Sequence, residues 1–476
     1  MTQISIVMAF VAYAGLMVVL GGIGFRRVKT SSDYIIGGRS LGALVGALSA
    51  EASDMSAWLF MGLPGAIYIA GTGEAWIAVG LLLGTVCNWV FVAKKMRTKS
   101  QAADDSVTLP KFFAASCSGT DAQKKALRVL SSIIITLFFT VYTASGFVAG
   151  GKFFSYTFGT SYLVSMLITA AIVITYTFLG GFLSIAWTSV AQGILMVVAV
   201  AAVPIGAMLV LGGVSSALFE PAVSSAPVSL VQIVSNLAWG LGYFGMPHII
   251  VKYMALKDTK TATRSGVIAI IWCAISLGFA VLIGVVGRAF IGGETLSKGD
   301  SENLFTMMIH KLFIDGGYLT LPFIAGLFFC AILSAIMSTA ASQLLMASSS
   351  ISVDIYAGSL KNGDVSDNVR LKLSRIFVVG IALLGFLIAL NPENQIMTLV
   401  SNAWAGFGAA FGPLVLLVLY RERISCVSAI AGMVSGGLCV LVWPHLPAVS
   451  SLYELVPGFA LSLMVTWVTS HTSLGE

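Results

Sequence analysis

Charged residues are scarce in this sequence: they make up 10% of its 476 residues, against about 25% in ordinary soluble domains. Histidine is scarcer still. The four histidines show no HExxH or other metal-ligand spacing, which argues against a metal-dependent enzyme. The six cysteines include no CxxC pair, so we interpret them as small apolar side chains rather than as a redox or metal site. The sequence contains no tandem repeat or low-complexity tract, and its membrane-length apolar runs leave no room for a soluble domain of useful size.

Long apolar runs take the place of the missing charge. Hydrophobic residues make up 58% of the chain, the mean hydropathy is +0.96, and runs of roughly 18 to 25 apolar residues recur from end to end, each long enough to cross a bilayer. Backbone groups in lipid must pair internally, so the fold is predicted to be all-α. We predict about thirteen membrane spans, over residues 4–25, 41–69, 75–94, 129–157, 162–180, 187–212, 229–251, 267–287, 318–350, 375–390, 395–419, 427–444 and 452–470.

The basic residues predict the orientation. None precedes the first span, whereas Arg26, Arg27 and Lys29 follow it, so we predict a retained helix with its N-terminus outside rather than a cleaved signal peptide. In that orientation all but four of the 26 Lys and Arg residues are cytoplasmic, as expected of a membrane protein. The exceptions are Lys152, Arg288, Lys298 and Lys311. We therefore expect a multi-pass protein of the inner (plasma) membrane with a cytoplasmic C-terminus. The net charge of +6 reflects this topology and indicates no nucleic-acid partner.

Two spans contain residues that break helices. The stretch "SAEASDMSAWLFMGLPG", residues 49–65, combines two carboxylates with glycine and proline, and "WGLGYFGMPHII", residues 239–250, contains three glycines and a proline. Interrupted spans at corresponding places in two halves of a chain indicate the central site of a transporter. Each begins a five-span block, 41–212 or 229–419. An odd number of spans per block predicts that the second block is inverted relative to the first.

A later span carries hydroxyl groups on one face. Ser334, Ser338 and Ser342 follow one another at helical spacing, and Thr339 lies beside them. Small residues and hydroxyls also mediate packing between membrane helices. The alternative is an ion site, because neutral hydroxyls and unwound backbone carbonyls supply the hard oxygens that a dehydrated sodium ion requires.

Several of these segments resemble one known family. The stretches "SDMSAWLFMGLPGA", "FFTVYTASG", "WGLGYFGMPHI", "MSTAASQLL" and "NPENQIMTLVSNAWAGFGAAFGP" are similar to the sodium:solute symporter family, and among its members to the proline symporters. The resemblance implies a leucine-transporter-type inverted five-plus-five repeat with one N-terminal and two C-terminal extra helices. In this scheme residues 1–476 form a single transmembrane domain, divided into 1–40, a first repeat 41–215, a second repeat 229–420 and the C-terminal helices 425–476.

The resemblance also implies a function, a secondary active transporter that imports L-proline with sodium by alternating access. Its partners would be proline, sodium ion and membrane lipid. No cofactor, no enzymatic activity and no obligate protein partner are expected. Alternatives are sodium symport of another small amino acid or carboxylate, and proton coupling. The sequence lacks the repeated filter-like loop of a channel and the motifs of a membrane enzyme.

Site residues follow from the resemblance position by position. It implies sodium ligands from the backbone carbonyls of Ala52, Met55 and Ala335 and the hydroxyls of Ser338 and Thr339. It implies roles in sodium coupling for Asp54 and for the neighbouring Ser56. It also implies a proline pocket drawn from Trp58, Tyr142, Trp239, Tyr243 and Pro247. Aromatic faces suit both the apolar ring and the ammonium of proline. Arg39 matches a position at the inner gate, although it would also serve as an ordinary cytoplasmic anchor.

Three positions depart from the family pattern. Glu51 and Ala57 stand where relatives have glycine, and Ser189 stands where many members carry an aspartate linked to an additional sodium site. A carboxylate at membrane depth is usually paired, protonated or functional. One hypothesis places Glu51 near the cytoplasmic mouth, solvated or paired with Arg39. The other gives it a role in cation coupling, in which it compensates for the missing aspartate at Ser189.

Overall fold

A computed structural model describes residues 2–26, 28, 30–213, 227–292, 296–315, 318–361, 363–421, 424–447 and 449–472. Arg27 and Lys29, used above for orientation, lie outside these residues, as does the predicted boundary at residue 215. Within the described ranges the helices are joined by loops and make up most of the chain. Its two β-bridges are isolated and no strand forms there. The prediction of an all-α protein is confirmed.

The first half of the chain forms nine helices within the described residues. They are α1 Thr2–Phe25, α2 Ser31–Ile36, α3 Ala43–Asp54, α4 Gly62–Ala70, α5 Ala75–Cys87, α6 Lys94–Ala102, α7 Leu109–Ser116, α8 Asp121–Phe158 and α9 Tyr162–Val210. A π-helical segment, Asn88–Ala93, joins α5 to α6, and a 3-10 turn, Ala57–Leu59, lies between α3 and α4. α3 and α4 together form the first broken span.

The second half of the chain continues the numbering. Its described helices are α10 Leu230–Leu237, α11 Pro247–Met254, α12 Thr259–Ile291, α13 Leu304–Phe313, α14 Pro322–Ser349, α15 Asp367–Ala389, α16 Ile396–Tyr420, α17 Cys426–Val442 and α18 Leu455–Thr472. A 3-10 segment, Ala238–Gly245, separates α10 from α11 and forms the second break. α14 continues into a π-helical segment, Ser350–Leu360.

These helices match the predicted spans. Among the described residues, nine helices are long and apolar enough to cross a membrane, and Ala57–Ala70, Tyr162–Phe178 and Leu455–His471 are shorter apolar helices. With the broken segment from α10 to α11, they account for the thirteen spans. Predicted spans 162–180 and 187–212 are the two arms of α9. These arms meet at Gly181, whose φ of 62° and ψ of 179° suit glycine alone. Tyr176 and Thr188, one on each arm, are hydrogen-bonded to each other.

α14 and α16 lie at the centre of the bundle, with most of their side chains buried. α1 packs on α9 and α14 but leaves many of its apolar residues exposed, as a helix that faces lipid would. At the opposite edge, α17 and α18 pack on each other and on α16. α3 packs on α9 and α12, and the 3-10 segment of the second break packs on α5 and α16, so the unwound backbone is shielded from lipid.

Candidate functional site

The first break is built by Ser56 and Gly62. α3 ends at Asp54, and Ser56 has a φ of 45°, a conformation that costs a residue other than glycine about 1–3 kcal/mol. The Ser56 hydroxyl accepts a hydrogen bond from the backbone N–H of Trp58 at 3.1 Å and so caps the 3-10 turn. A Cβ on Gly62 would lie 2.6 Å from the Trp58 ring, so glycine is required there. Strained backbone of this kind clusters at functional sites.

The second break is held against its neighbours by close backbone contacts. A Cβ on Gly240 would lie 2.2 Å from the carbonyl oxygen of Gly80 on α5, and one on Gly245 would lie 2.1 Å from that of Phe407 on α16. The glycines of the sequence motif therefore let the unwound segment approach both helices. Two of its freed carbonyls are satisfied by side chains. Trp404 Nε1 donates to Trp239 O at 2.7 Å, and Asn88 Nδ2 donates to Tyr243 O at 3.1 Å.

Three of the five residues predicted to bind sodium meet between α3 and α14. The Ser338 hydroxyl lies 2.6 Å from the carbonyl oxygen of Ala52 and 3.3 Å from that of Ala335. The Thr339 hydroxyl is buried and makes no hydrogen bond to any residue that the structure describes. The fifth predicted ligand, Met55, is also buried, and its carbonyl accepts from Leu59 N at 3.2 Å. The oxygens of Ser338, Ala52 and Ala335 are neutral, and neutral oxygens of this kind are suitable ligands for a monovalent cation.

Asp54 connects this oxygen cluster to the second break. The Tyr243 hydroxyl donates to Asp54 Oδ2 at 2.5 Å, so the last residue of α3 is bonded to the 3-10 segment between α10 and α11. Oδ1 of Asp54 is buried and has no hydrogen-bond partner within the described part of the chain. One carboxylate oxygen is thus committed to the protein. The other remains able to accept a bond from a ligand.

A small cavity lies between the two breaks. It is lined by Asp54, Met55, Trp58, Leu81, Tyr142, Trp239, Tyr243, Val400 and Trp404. Four of the five residues predicted for the substrate pocket are among these. Leu81, Val400 and Trp404 were not predicted, although Trp404 belongs to the "NAWAGFG" motif quoted above.

The aromatic lining has a defined geometry. Trp239 stacks on Trp58 with ring centroids 5.5 Å apart and on Tyr453 at 5.5 Å. Trp404 stands edge-on to Tyr243 at 5.2 Å. These contacts fix the rings that line the cavity, so the aromatic wall of the cavity has a fixed position.

Pro247 does not line this cavity. It is buried at the first position of α11, where its fixed φ starts the helix without loss of a hydrogen bond. The substrate contact predicted for Pro247 therefore stays a prediction. Its visible contribution is to end the unwound segment that carries Trp239 and Tyr243.

Glu51 lies inside the bundle rather than at its mouth. Its side chain is 2% exposed, and Oε1 accepts a hydrogen bond from Trp89 Nε1 at 3.0 Å. No described residue bonds to Oε2. The considered pairing with Arg39 is wrong, because the Arg39 guanidinium binds Asp105 instead. The Ser189 hydroxyl donates to Ile185 O at 2.6 Å, so the side chains of Glu51 and Ser189 have different partners. Trp89 belongs to the π-helical segment, a feature frequent at functional sites.

Arg39 clamps the predicted cytoplasmic end. Its guanidinium forms an ion pair with Asp105 at 2.9 Å and donates to Met254 O at 2.7 Å, to Ser100 Oγ at 3.0 Å and to Ser106 O at 2.9 Å. Met254 is the last residue of α11. The clamp therefore ties the segment before α3 to the end of the second broken span and to the loop after α6. Such an arrangement fits the predicted gate better than a solvated anchor.

A second polar closure lies at the opposite end. Lys152 Nζ forms a 2.6 Å ion pair with Glu302 and donates to Asn394 O at 3.0 Å. Glu302 Oε1 accepts from Ile396 N, at the start of α16, at 2.7 Å. Lys152 is one of the four basic residues that do not lie on the cytoplasmic side in the predicted orientation. Its place in this buried pair accounts for that exception, and sequence reasoning had given neither partner a role.

Comparison with known proteins agrees with this arrangement. The sodium/proline symporter of Staphylococcus aureus (strain JH9) is 40% identical over 478 residues, which cover 96% of this chain and 91% of the relative. A sodium-coupled sialic acid symporter, solved in a substrate-bound outward-open state, superposes with a TM-score of 0.78 at 18% identity over 98% of each chain. MhsT in complex with L-phenylalanine gives 0.55 at 17% identity, over 90% of this chain and 98% of that one.

The structural likeness confirms the predicted leucine-transporter-type fold. The division of the chain at residues 40, 215, 229, 420 and 425 stays a prediction. The family model described as "SSF: Sodium:solute symporter family" matches residues 34–436. Family and relatives are symporters, so the prediction of a transporter rather than an enzyme is confirmed. This chain belongs to the sodium:solute symporter family.

Proposed function

We propose that this protein imports L-proline together with sodium by alternating access. The observation that carries the proposal is the position of α3: its C-terminal end contributes Ala52 to the oxygen cluster and, two residues later, Asp54 to the aromatic cavity. An ion and a small solute bound at these places would share one helix end.

The cavity has the chemistry that proline requires. The rings of Trp58 and Trp239 give the cavity an apolar wall for the pyrrolidine ring, and the free oxygen of Asp54 suits the secondary ammonium. The relative from Staphylococcus aureus is named for proline. Proline therefore matches the chemistry of the lining residues, which also include Tyr142 and Tyr243.

Sodium binding and proline binding would be coupled through a hydrogen bond that a sodium ion would replace. The Ser338 hydroxyl donates a hydrogen bond to Ala52 O, and an ion between α3 and α14 would take both oxygens as ligands. Binding of the ion would therefore change the position of the C-terminal end of α3, which also carries Asp54. A sodium ion moving down about 100 mV and a tenfold gradient releases about 2.3 + 1.4 kcal/mol, enough for several-hundred-fold accumulation of one solute.

Alternating access requires that one end opens while the other is closed. The Arg39 clamp and the Lys152–Glu302 pair close the two ends of the bundle on either side of the cavity. We place the Arg39 end in the cytoplasm and the Lys152 end outside, which follows from the predicted orientation with the N-terminus outside and the C-terminus in the cytoplasm. The membrane would be the inner (plasma) membrane.

Uptake into proteoliposomes tests the proposal. Purified protein is reconstituted, and labelled proline is added with an inward sodium gradient and a negative internal potential. We expect accumulation that collapses when a sodium ionophore dissipates the gradient. A panel of other labelled amino acids and small carboxylates serves as the comparison. Accumulation of another solute in preference to proline, or accumulation driven by a proton gradient without sodium, would contradict the proposal.

A further inference from the structure

Lys252 is a buried lysine that has no carboxylate partner within the described residues. It lies in the last turn of α11, its residue is 2% exposed, and its Nζ lies 4.5 Å from the centroid of the Phe182 ring. None of the ion pairs of the described chain includes it. A buried ammonium without an anion is costly, and such groups in membrane proteins mark substrate or ion pathways.

A row of side chains leads from the substrate cavity to Lys252. His248, one turn earlier on the same face of α11, stands edge-on to Tyr142 with ring centroids 6.4 Å apart. Tyr142 lines the cavity. The face of α11 that carries His248 and Lys252 therefore runs from the cavity toward the predicted cytoplasmic side.

Tightly packed residues separate Lys252 from the predicted cytoplasmic side. Phe182 follows Gly181, the bend of α9, and a Cβ on Gly37 would lie 3.2 Å from the Phe182 ring. A Cβ on Gly181 would meet the Tyr34 ring of α2 at 2.6 Å. The segment from α2 to Gly37 thus packs tightly over the α9 bend that Lys252 contacts. The same segment continues to Arg39, whose clamp holds Met254 two residues after Lys252.

We infer that Lys252 is a second binding point for the carboxylate of the transported amino acid, on the inner half of the path. The inference rests on the proposed function. Release of the Arg39 clamp would lift the segment that carries Tyr34 and Gly37 and uncover the ammonium. The carboxylate would then leave the cavity for Lys252 before it reaches the cytoplasm. A positive charge at this position favours an amino acid whose carboxylate moves inward ahead of its ammonium group.

The test compares binding from the two sides of the membrane. Lys252→Met keeps the length of the side chain and removes its charge, whereas Lys252→Arg keeps the charge. Right-side-out vesicles loaded with labelled proline give the KM for internal proline from efflux, and proline added outside at saturating sodium gives the external Kd. Lys257→Met, at an exposed lysine on the same side, is the matched control.

We expect Lys252→Met to raise the internal KM by roughly tenfold, the scale of one lost charge-assisted hydrogen bond, and to leave the external Kd within about twofold. Lys252→Arg and the control should keep the internal KM within about threefold of the parent value. Prolinamide lacks the carboxylate, so its inhibition of efflux from inside should be equal in the parent and Lys252→Met.

Three results would overturn the inference. They are an unchanged internal KM in Lys252→Met, an equal loss in Lys252→Arg, and an equal weakening of internal proline and prolinamide. The external Kd shows that the variant is folded. If Lys252→Met binds no external proline, Lys252→Gln is measured by the same criteria. Failure of the parent protein to transport proline would instead refute the proposed function, so the two failures are distinguishable.

Discussion

Replacement of Ser338 by alanine removes one oxygen from the cluster between α3 and α14 and changes nothing in the cavity lining. The hydroxyl is fully buried, 2.6 Å from Ala52 O and 3.3 Å from Ala335 O. A bond from a neutral oxygen to a charged group contributes about 1.5–3 kcal/mol. At about 1.4 kcal/mol for each factor of ten, the sodium concentration for half-maximal uptake should rise roughly 10- to 100-fold.

Ser338→Thr keeps the oxygen and should shift the sodium requirement much less, although its extra methyl group strains a packed site. Ser348→Ala is the matched control. Ser348 lies on the same helix, is equally buried and donates only to Leu345 O in its own helix at 3.1 Å. The assay is initial proline uptake at increasing sodium, with proline binding at saturating sodium as the check on folding.

The result that would refute this reasoning is a sodium requirement in Ser338→Ala equal to that of Ser348→Ala. In that case the hydroxyl stripe serves helix packing alone, and the ion binds elsewhere. A loss of proline binding at saturating sodium, with no change in the sodium requirement, would equally contradict the separation of the ion cluster from the substrate cavity.

Trp239→Ala removes the ring that lies between Trp58 and Tyr453, and should weaken proline binding at saturating sodium by about 1–3 kcal/mol; unchanged affinity would place the pocket elsewhere. Glu51→Gln keeps an acceptor for Trp89 Nε1 and removes the charge, so we expect a changed ratio of cation to proline, or a changed pH profile of uptake, with proline binding retained. If stoichiometry, sodium affinity and pH profile all match the parent, Glu51 has no coupling role. Lys152→Met and Glu302→Gln each leave one buried charge unpaired, so each should slow uptake more than the double variant does, because loss of one partner costs about 3–5 kcal/mol. If the effect of the double variant equals the sum of the two single effects, the pair does not act as a unit.

The spans and the two breaks could be predicted from the sequence because their causes are local. Apolar runs set the length of each helix, and glycine and proline mark the breaks at 49–65 and 239–250. The spacing of Ser334, Ser338 and Ser342 is likewise visible along the chain. The structure adds that Ser338 reaches Ala52, 286 residues away in sequence.

The closures could not be predicted, because they join residues that no periodicity relates. Arg39 could be named as a basic residue, but its partner Asp105 lies in a loop among other charges. Lys152 looked like an exception to the charge rule until Glu302 was placed beside it. The environment of Glu51 was equally hidden. Its partner Trp89 lies in a π-helical segment, whose altered register no sequence pattern marks.

The central claim is that sodium and proline bind to one helix end and stabilise each other there. Equilibrium binding of labelled proline to the purified protein, at increasing sodium, tests this most directly. Binding affinities are reciprocal, so sodium should strengthen proline binding by the same factor by which proline strengthens sodium binding. We predict that Asp54→Ala, which breaks the 2.5 Å bond to Tyr243, loses most of that factor. Proline binding that is equally tight in sodium and in choline would contradict the account.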